Sequence, residues 1–235
     1  MERGLAPSRE RARALILAGR VLVNEQKVDK AGASVNTDAA VRVLGDDLRY
    51  VSRGGLKLEG ALDHWNIAVE GRACVDVGTS TGGFTDCLLQ RGAASVTCVD
   101  TGFGQIAMKL RNDARVRLME RTNARMLEPG ALGGEASLLV MDVSFISATL
   151  LLEAVFEAAP GLHEAVILVK PQFEAGREHV GKGGIVRDPA AHRLAVDKVS
   201  GCVRSLNWEV VGAIPSPIAG AEGNQEFLLY AQKGA

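Results

Sequence analysis

Aromatic side chains are scarce in this sequence: two Trp, two Tyr and six Phe among 235 residues, which leaves few rings on which a nucleobase could stack. Cysteine is scarcer still. Cys74, Cys87, Cys98 and Cys202 show no CxxC or other metal-ligand spacing, and three of them lie inside apolar runs where a reduced thiol packs as a small hydrophobe. No metal site is expected. No stretch reaches the roughly 18 uncharged apolar residues of a membrane span, because the greasiest region, Leu138 to Ala159, is broken by Asp142, Glu153 and Glu157. The first residues, MERGLAPSRERARAL, carry charges throughout and lack the apolar core of a signal peptide, so a cytoplasmic location is expected. A net charge of −1 gives no whole-molecule reason for an anionic partner.

What is present is the balance of a globular protein, 47% hydrophobic and 23% charged, at a length suited to one α/β domain and a small appendage. Charge is concentrated locally. Residues 1 to 20 hold Arg3, Arg9, Arg11, Arg13 and Arg20 against Glu2 and Glu10, a surplus of +3 that suits a phosphate-binding face or a solvated helix. Ser8 is positioned to cap a helix from Arg9 to Ala18 that Gly19 ends, followed by β-rich runs at 21–23, with Asn24-Glu25 behind it, and 41–44. The division expected is a first domain over 1–48, a linker over 49–53 and a second domain over 54–235.

From there apolar strands alternate with helices. Strands are expected at 73–77, 95–100, 116–119, 138–142, 165–170, 208–214 and 226–231, with helices at 56–65, 83–91, near 105–110, 146–158 and 189–206. That alternation implies a mostly parallel sheet covered on both faces. The last two strands are separated by only PSPIAGAEGNQ, too short for a crossover helix, and are expected to pair antiparallel.

In ACVDVGTSTGGFTDCLL an apolar strand runs into a glycine-rich turn and then a helix, an arrangement that brings backbone N–H groups up to a ligand. Gly78, Gly82 and Gly83 permit close approach. Asp76 before the turn disfavours a pyrophosphate and suits a ligand bearing an amino group and a sulfonium. Asp100, twenty-two residues after Gly78, can accept two ribose hydroxyls or simply cap the turn at Gly102. These features favour S-adenosylmethionine over a nicotinamide. Asp142 and Lys170 end apolar strands and should converge beside this turn, although each could also serve as a cap or reach to solvent. Lys57 and Glu226 open the first helix and the last strand of the second domain.

The segments GLAPSRERARALILAGRVLVNEQKVDKAG, YVSRGGLKLEGAL, DVGTSTGGFTDCLLQRGA, MDVSFIS, LVKPQFEAGRE, GKGGIVRD and SPIAGAEGNQEFLL together resemble the TlyA family, FtsJ-like rRNA 2′-O-methyltransferases also called hemolysins. The resemblance implies a Rossmann-like α/β methyltransferase fold, a mostly parallel seven-stranded sheet with an antiparallel last strand, preceded by a small α+β RNA-binding domain of a type first seen in a small-subunit ribosomal protein. It implies a catalytic tetrad at Lys57, Asp142, Lys170 and Glu226. The cofactor residues are Asp76, Gly78, Ser80, Thr81, Gly82, Gly83 and Phe84, with Asp100 and Asp142. RNA contacts are expected from Arg3, Ser8, Arg9, Arg11, Arg13, Arg20, Lys182 and Arg187. The first helix of the small domain looks clipped beside the family pattern, and the chain stops soon after the last strand, as in a shorter branch that acts on a 23S cytidine.

A ribose hydroxyl is a poor nucleophile near neutral pH, so the enzyme must align it with the sulfonium methyl and remove a proton. Lys170 is the candidate base, with Lys57 supplying a like charge to depress its pKa, Asp142 orienting it and facing the sulfonium side, and Glu226 holding either Lys57 or the ribose. The loop GKGGIVRD is expected to be a mobile lid or an RNA clamp, or else a plain surface loop. Phe103, Phe145 and Phe173 lie near loops, with at least two expected in the core or the cofactor wall. The competing readings are a non-catalytic RNA-binding or ribosome-assembly factor, a cytolysin and a nicotinamide-dependent oxidoreductase. A monomer or weak homo-oligomer is expected.

Overall fold

Residues 3, 5–6, 8–43, 49–220 and 222–234 are described by the computed structural model, which divides into Met1–Arg49 and Tyr50–Ala235. In the first unit, helix α1 (Arg9–Leu17) begins where the extended Ser8 accepts a hydrogen bond from the Arg11 amide at 3.1 Å. It ends at Gly19, φ +62°, whose amide bonds Ile16 O while that of Arg20 bonds Leu15 O. Strands β1 (Val21–Val23) and β2 (Gln26–Val28) are joined by Asn24 and Glu25, both at positive φ, the conformation a two-residue hairpin demands. Strand β3 (Val41–Val43) pairs with the other edge of β1. The sequence reading lacked β2, whose Gln26 and Lys27 are exposed and show no apolar alternation. The expected strand end at Leu44 and domain end at residue 48 lie outside the described residues. This unit encloses a mainly apolar hollow of about 510 Å³, bordered by Leu5, Leu15, Val21 and Val41.

The second unit is a seven-stranded sheet in the order β6-β5-β4-β7-β8-β10-β9, formed by β4 (Ala73–Val77), β5 (Ser95–Val99), β6 (Val116–Met119), β7 (Ala136–Met141), β8 (Glu164–Val169), β9 (Trp208–Pro215) and β10 (Phe227–Lys233). Strand β10 runs antiparallel to both of its neighbours, and the pairs among β4, β5, β6, β7 and β8 are parallel. Side chains alternate between two buried faces. Leu138, Val140, Leu168 and Leu228 pack with Leu58, Leu62 and Leu88 of helices α2 (Gly54–His64) and α3 (Gly83–Gln90). Leu139, Met141 and Ile167 pack on the opposite side with Leu152 and Val155 of α5 (Leu152–Ala158) and Val199 and Val203 of α7 (Pro189–Ser205). Each fully buried leucine contributes roughly 1.5–3 kcal/mol, so two such layers hold the strand ends in fixed register.

Two expected helices differ, and one short turn was not expected. The helix at 146–158 is a tight turn at Ala148–Leu150 followed by α5: Phe145 stands at φ +65°, and the buried Glu174 carboxylate accepts from the Ala148 amide and the Ser147 hydroxyl, which fixes the turn. The helix near 105–110 is one turn, α4 (Met108–Arg111), since Gly104 has φ +71° and Ala107 is extended. An unexpected turn, α6 (Pro171–Glu174), follows β8 with Pro171 in its first position. Residues 50–53 pack into the second unit: Tyr50 is buried and its hydroxyl donates to Glu59, and the Val51 amide donates to Asp86. Burial pushes the Cys74 and Cys98 thiols up to about 12, which leaves them inert packing groups.

Candidate active site

The carboxyl ends of β4, β5, β7 and β8 deliver Gly78, Asp100, Asp142 and Lys170 to one edge of the sheet. The Gly78 amide bonds Val99 O and the Asp142 amide bonds Val77 O, both at 2.9 Å, so the ends are stitched together. Gly78 (φ +85°) could not carry a side chain, because a Cβ would stand 2.3 Å from the Asp142 carbonyl oxygen. Beyond them opens a cleft of about 320 Å³. Asp100 and Asp142 are among its lining residues, Val99, Val143, Ile146 and Leu151 form apolar wall, and among the described residues no Lys or Arg borders it. Such a donor set fits a cationic ligand with a hydroxylated sugar and a flat apolar ring. It opposes a dinucleotide whose phosphates need cations or N–H donors. S-adenosylmethionine fits.

The cofactor residues expected from sequence separate into two groups. Gly78, Ser80, Asp100 and Asp142 line the cleft. Phe84 packs into the core, a Cβ on Gly82 would meet Leu110 at 2.3 Å, and one on Gly83 would meet the Ser52 hydroxyl at 2.3 Å. These positions shape the turn from behind. Thr81 is exposed, and its carbonyl holds the Ala107 amide. Asp100 accepts at 2.7 Å from the amides of both Ser80 and Gly102, so it caps the loops as well as facing the cleft. Thr101, Gln105, Thr122, Asn123 and Ser144 also line the cleft and went unnoticed, as polar loop residues carry no periodic signal.

Asp76 is fully buried beneath the turn rather than in the cleft wall. One carboxylate oxygen accepts from Thr85 at 2.6 Å and the other has no hydrogen-bond partner among the described residues. Burial pushes the acid up to about 7, against a weaker opposing pull from Thr85. A folded pKa raised above the ordinary 3.8 favours the protonated native state. Its stabilising contribution is therefore full below about 4 and lost as pH rises through 7, by roughly a few kcal/mol. Asp76→Asn should flatten that loss: the urea midpoints of variant and parent should differ more at pH 8 than at pH 5, and parallel profiles would refute it.

Three further side chains expected in the site, Lys170, Lys57 and Glu226, are each held in an ion pair. Lys170 Nζ lies 2.6 Å from Asp142 Oδ1 and donates to Ser144 Oγ at 2.7 Å. Lys57 Nζ donates to Glu226 Oε2 at 2.5 Å, with both side chains nearly out of solvent. The β10–β8 register ends with Phe227 opposite Val169, so Glu226 and Lys170 each lie one residue beyond the last paired position, at the same end of the two strands. The like charge expected from Lys57 is already compensated by Glu226, which weakens the proposed electrostatic push on Lys170.

Phe145 is 90% exposed at the cleft mouth, its ring 5.5 Å from that of the half-buried Phe173. Phe103 is 64% exposed with the Arg121 guanidinium 4.3 Å from its ring centre. None of the three lies in the core, contrary to expectation for at least one of Phe103 and Phe173, because the loops bearing them face outward. In the first unit, the Arg3 guanidinium bonds the carbonyls of Thr37 and Ala39, and Ser8 is engaged as the helix cap. Arg9, Arg13 and Arg20 are exposed and Arg11 is half-buried. Lys182 and Arg187 are exposed in the second unit.

The sheet order and the cleft at its carboxyl edge define a Rossmann-like methyltransferase. Residues 50–233 match the FtsJ-like methyltransferase model, and residues 2–41 match the S4 domain. The chain belongs to the TlyA family of FtsJ-like methyltransferases. It is 47% identical to the 16S/23S rRNA (cytidine-2′-O)-methyltransferase TlyA of Mycobacterium tuberculosis, over 98% of this chain and 86% of that one. Identity to the 23S rRNA (cytidine-2′-O)-methyltransferase TlyA of Campylobacter jejuni is 36%, over 77% and 70%. A solved structure of a protein described as a hemolysin from Streptococcus thermophilus superposes with a TM-score of 0.79 at 43% identity, covering 99% of this chain and 86% of that one.

Proposed function

We propose that this chain transfers a methyl group from S-adenosylmethionine to the ribose 2′-hydroxyl of a cytidine in ribosomal RNA, with 23S rRNA ahead of 16S. The observation that carries the reading is the Lys170–Asp142 pair, whose carboxylate lines an acidic cleft bordered by no Lys or Arg among the described residues, together with the buried Lys57–Glu226 pair that joins positions 169 apart. When bound, the cofactor supplies an activated sulfonium methyl. Asp142 and Asp100 would hold its cationic end and its ribose, and Val99, Val143 and Ile146 would enclose the remainder. Asp142 and Ser144 fix the direction of Lys170 Nζ, and in its neutral form this amine would take the hydroxyl proton. Glu226 and Lys57 would hold the sugar edge. The names of both TlyA relatives include 23S rRNA, which supports that order of preference.

The rings of Phe145 and Phe173 offer a platform for the base of the target nucleotide. A bulky residue at φ +65° and 90% exposure has no packing reason to be there. Phe145→Ala should leave thermal stability within about 0.5 kcal/mol and lower kcat/KM for RNA roughly 5- to 100-fold, the cost of one stacked base. Unchanged kinetics would remove the ring from substrate binding.

The decisive assay is transfer of tritiated methyl to separated 30S and 50S subunits and to free rRNA, followed by mass-spectrometric mapping. A 2′-O-methylcytidine in 23S rRNA is expected. Label on a base, or none with any substrate, overturns the reading, and the second result would favour an assembly factor.

A further inference from the structure

We infer that Asn224 is a positioning residue that locks the loop 181–187 into a preformed clamp for a nucleic-acid backbone beside the Lys57–Glu226 pair; this rests on the rRNA reading above. Asn224 is 1% exposed, yet its side chain reaches no other side chain by hydrogen bond among the described residues. Both ends of its amide address the backbone of a distant loop. Oδ1 accepts from the Val186 amide and Nδ2 donates to the Gly184 carbonyl, each at 2.9 Å. Only this orientation of the amide matches a donor to an acceptor at both ends. The pairing reproduces with one side chain the two bonds that a neighbouring strand would make.

The loop held in this way is itself closed. The Gly181 amide bonds Ile185 O at 3.0 Å and the Gly184 amide bonds Gly181 O at 3.1 Å, with Gly183 and Gly184 both at positive φ. Val186 is buried, and its carbonyl meets His192 Nε2 at 2.9 Å. A mobile lid would not have its centre anchored on three sides. The cations flanking the turn, Lys182 and Arg187, are exposed and have no ion-pair partner among the described residues. An acid also stands close, Glu222, whose carboxylate is 3.6 Å from where a Gly184 Cβ would be. Two fixed, solvent-facing cations on a glycine turn suit successive phosphates of a strand.

The same residue ties the clamp to the site. The Asn224 carbonyl accepts from the Gly220 amide at 2.9 Å, and Glu226 lies two residues further on. A Cβ at Gly220 would stand 2.6 Å from Glu226 Oε1, so this turn closes directly on the carboxylate that holds Lys57. Arg53 donates to the Ala219 carbonyl at 2.9 Å and fastens the other side of the turn to the start of α2. Loop 181–187 and Glu226 therefore share one brace.

The test compares Asn224→Ala, the double variant Lys182→Ala/Arg187→Ala and the triple variant. Asn224→Ala should raise KM for RNA about tenfold or more, leave kcat within about threefold and leave S-adenosylmethionine affinity unchanged. Its RNA affinity should lose about as much salt dependence as the double variant loses, roughly 0.7–0.9 in log–log slope per phosphate contact. The triple variant should bind RNA no worse than the double, since the brace acts only through those cations. Additive losses, or an unchanged KM, would overturn the proposal. Amide hydrogen exchange on the unmodified protein covers the case in which Asn224→Ala does not fold: the Val186 N–H should be protected to the level of the β10 amides, and exchange at the rate of an open loop would overturn the brace. Exchange does not depend on methylation, so a parent protein inactive on rRNA would refute the function while this arm still judged the brace.

Discussion

Lys170→Ala is expected to abolish methyl transfer while S-adenosylmethionine still binds. The side chain ends β8, and its Nζ is oriented by Asp142 at 2.6 Å and Ser144 at 2.7 Å without lining the cofactor cleft. Loss of a general base costs roughly 10²–10⁴-fold, and loss of the group that aligns the hydroxyl adds to it. A fall in kcat of at least about 10³-fold is expected, with cofactor affinity by titration calorimetry changed by less than about threefold. Lys170→Arg separates the two contributions, because a guanidinium keeps a donor toward Asp142 but cannot act as a base. It should be nearly as inactive as the alanine variant. Substantial turnover in the arginine variant would mean that Lys170 only positions the substrate. Turnover in the alanine variant would remove it from the mechanism.

The part of this site written at strand ends was legible in the sequence. Gly78, Asp100, Asp142 and Lys170 each follow an apolar run, and in an open parallel sheet those ends meet at one edge. The partner of Lys57 was legible only as one of two alternatives, Glu226 holding either Lys57 or the ribose. Its pairing with Glu226 depends on β10 inserting antiparallel between β8 and β9, a strand order that local pattern does not encode. Within the glycine turn, residue types identified a ligand loop but not which way each residue faces: Phe84 reads equally well as cofactor wall or core, and packing against α2 places it in the core. The helix expected at 146–158 failed for a tertiary reason, since the Glu174 carboxylate captures the Ser147 hydroxyl and the Ala148 amide from 26 residues away or more. Asp76 illustrates a third limit. Its position before the turn suggested a ligand contact, but the carboxyl lies under the loop, with one oxygen unpartnered among the described residues.

The second large effect concerns stability and activity together. Glu226→Met leaves the Lys57 ammonium nearly buried with no compensating charge, a change that typically costs about 3–5 kcal/mol. For a unit of this size that lowers the melting temperature by roughly 6–20 °C. Adding Lys57→Met should recover most of the loss, because two thioether side chains of similar length can fill the space of an ion pair without its desolvation cost. Recovered folding should not bring back methylation: Glu226 and Lys170 lie at the same end of β10 and β8, and the apolar pair offers nothing to hold a sugar edge. The double variant is therefore expected to melt within a few degrees of the parent and to transfer methyl at least about 10²-fold more slowly. If methylation returned with the fold, Lys57 and Glu226 would be a structural pair and the tetrad would reduce to Asp142 and Lys170. If the single variant melted like its parent, the carboxylate would not be compensating the lysine at all, and the electrostatic account of the site would fail at that point.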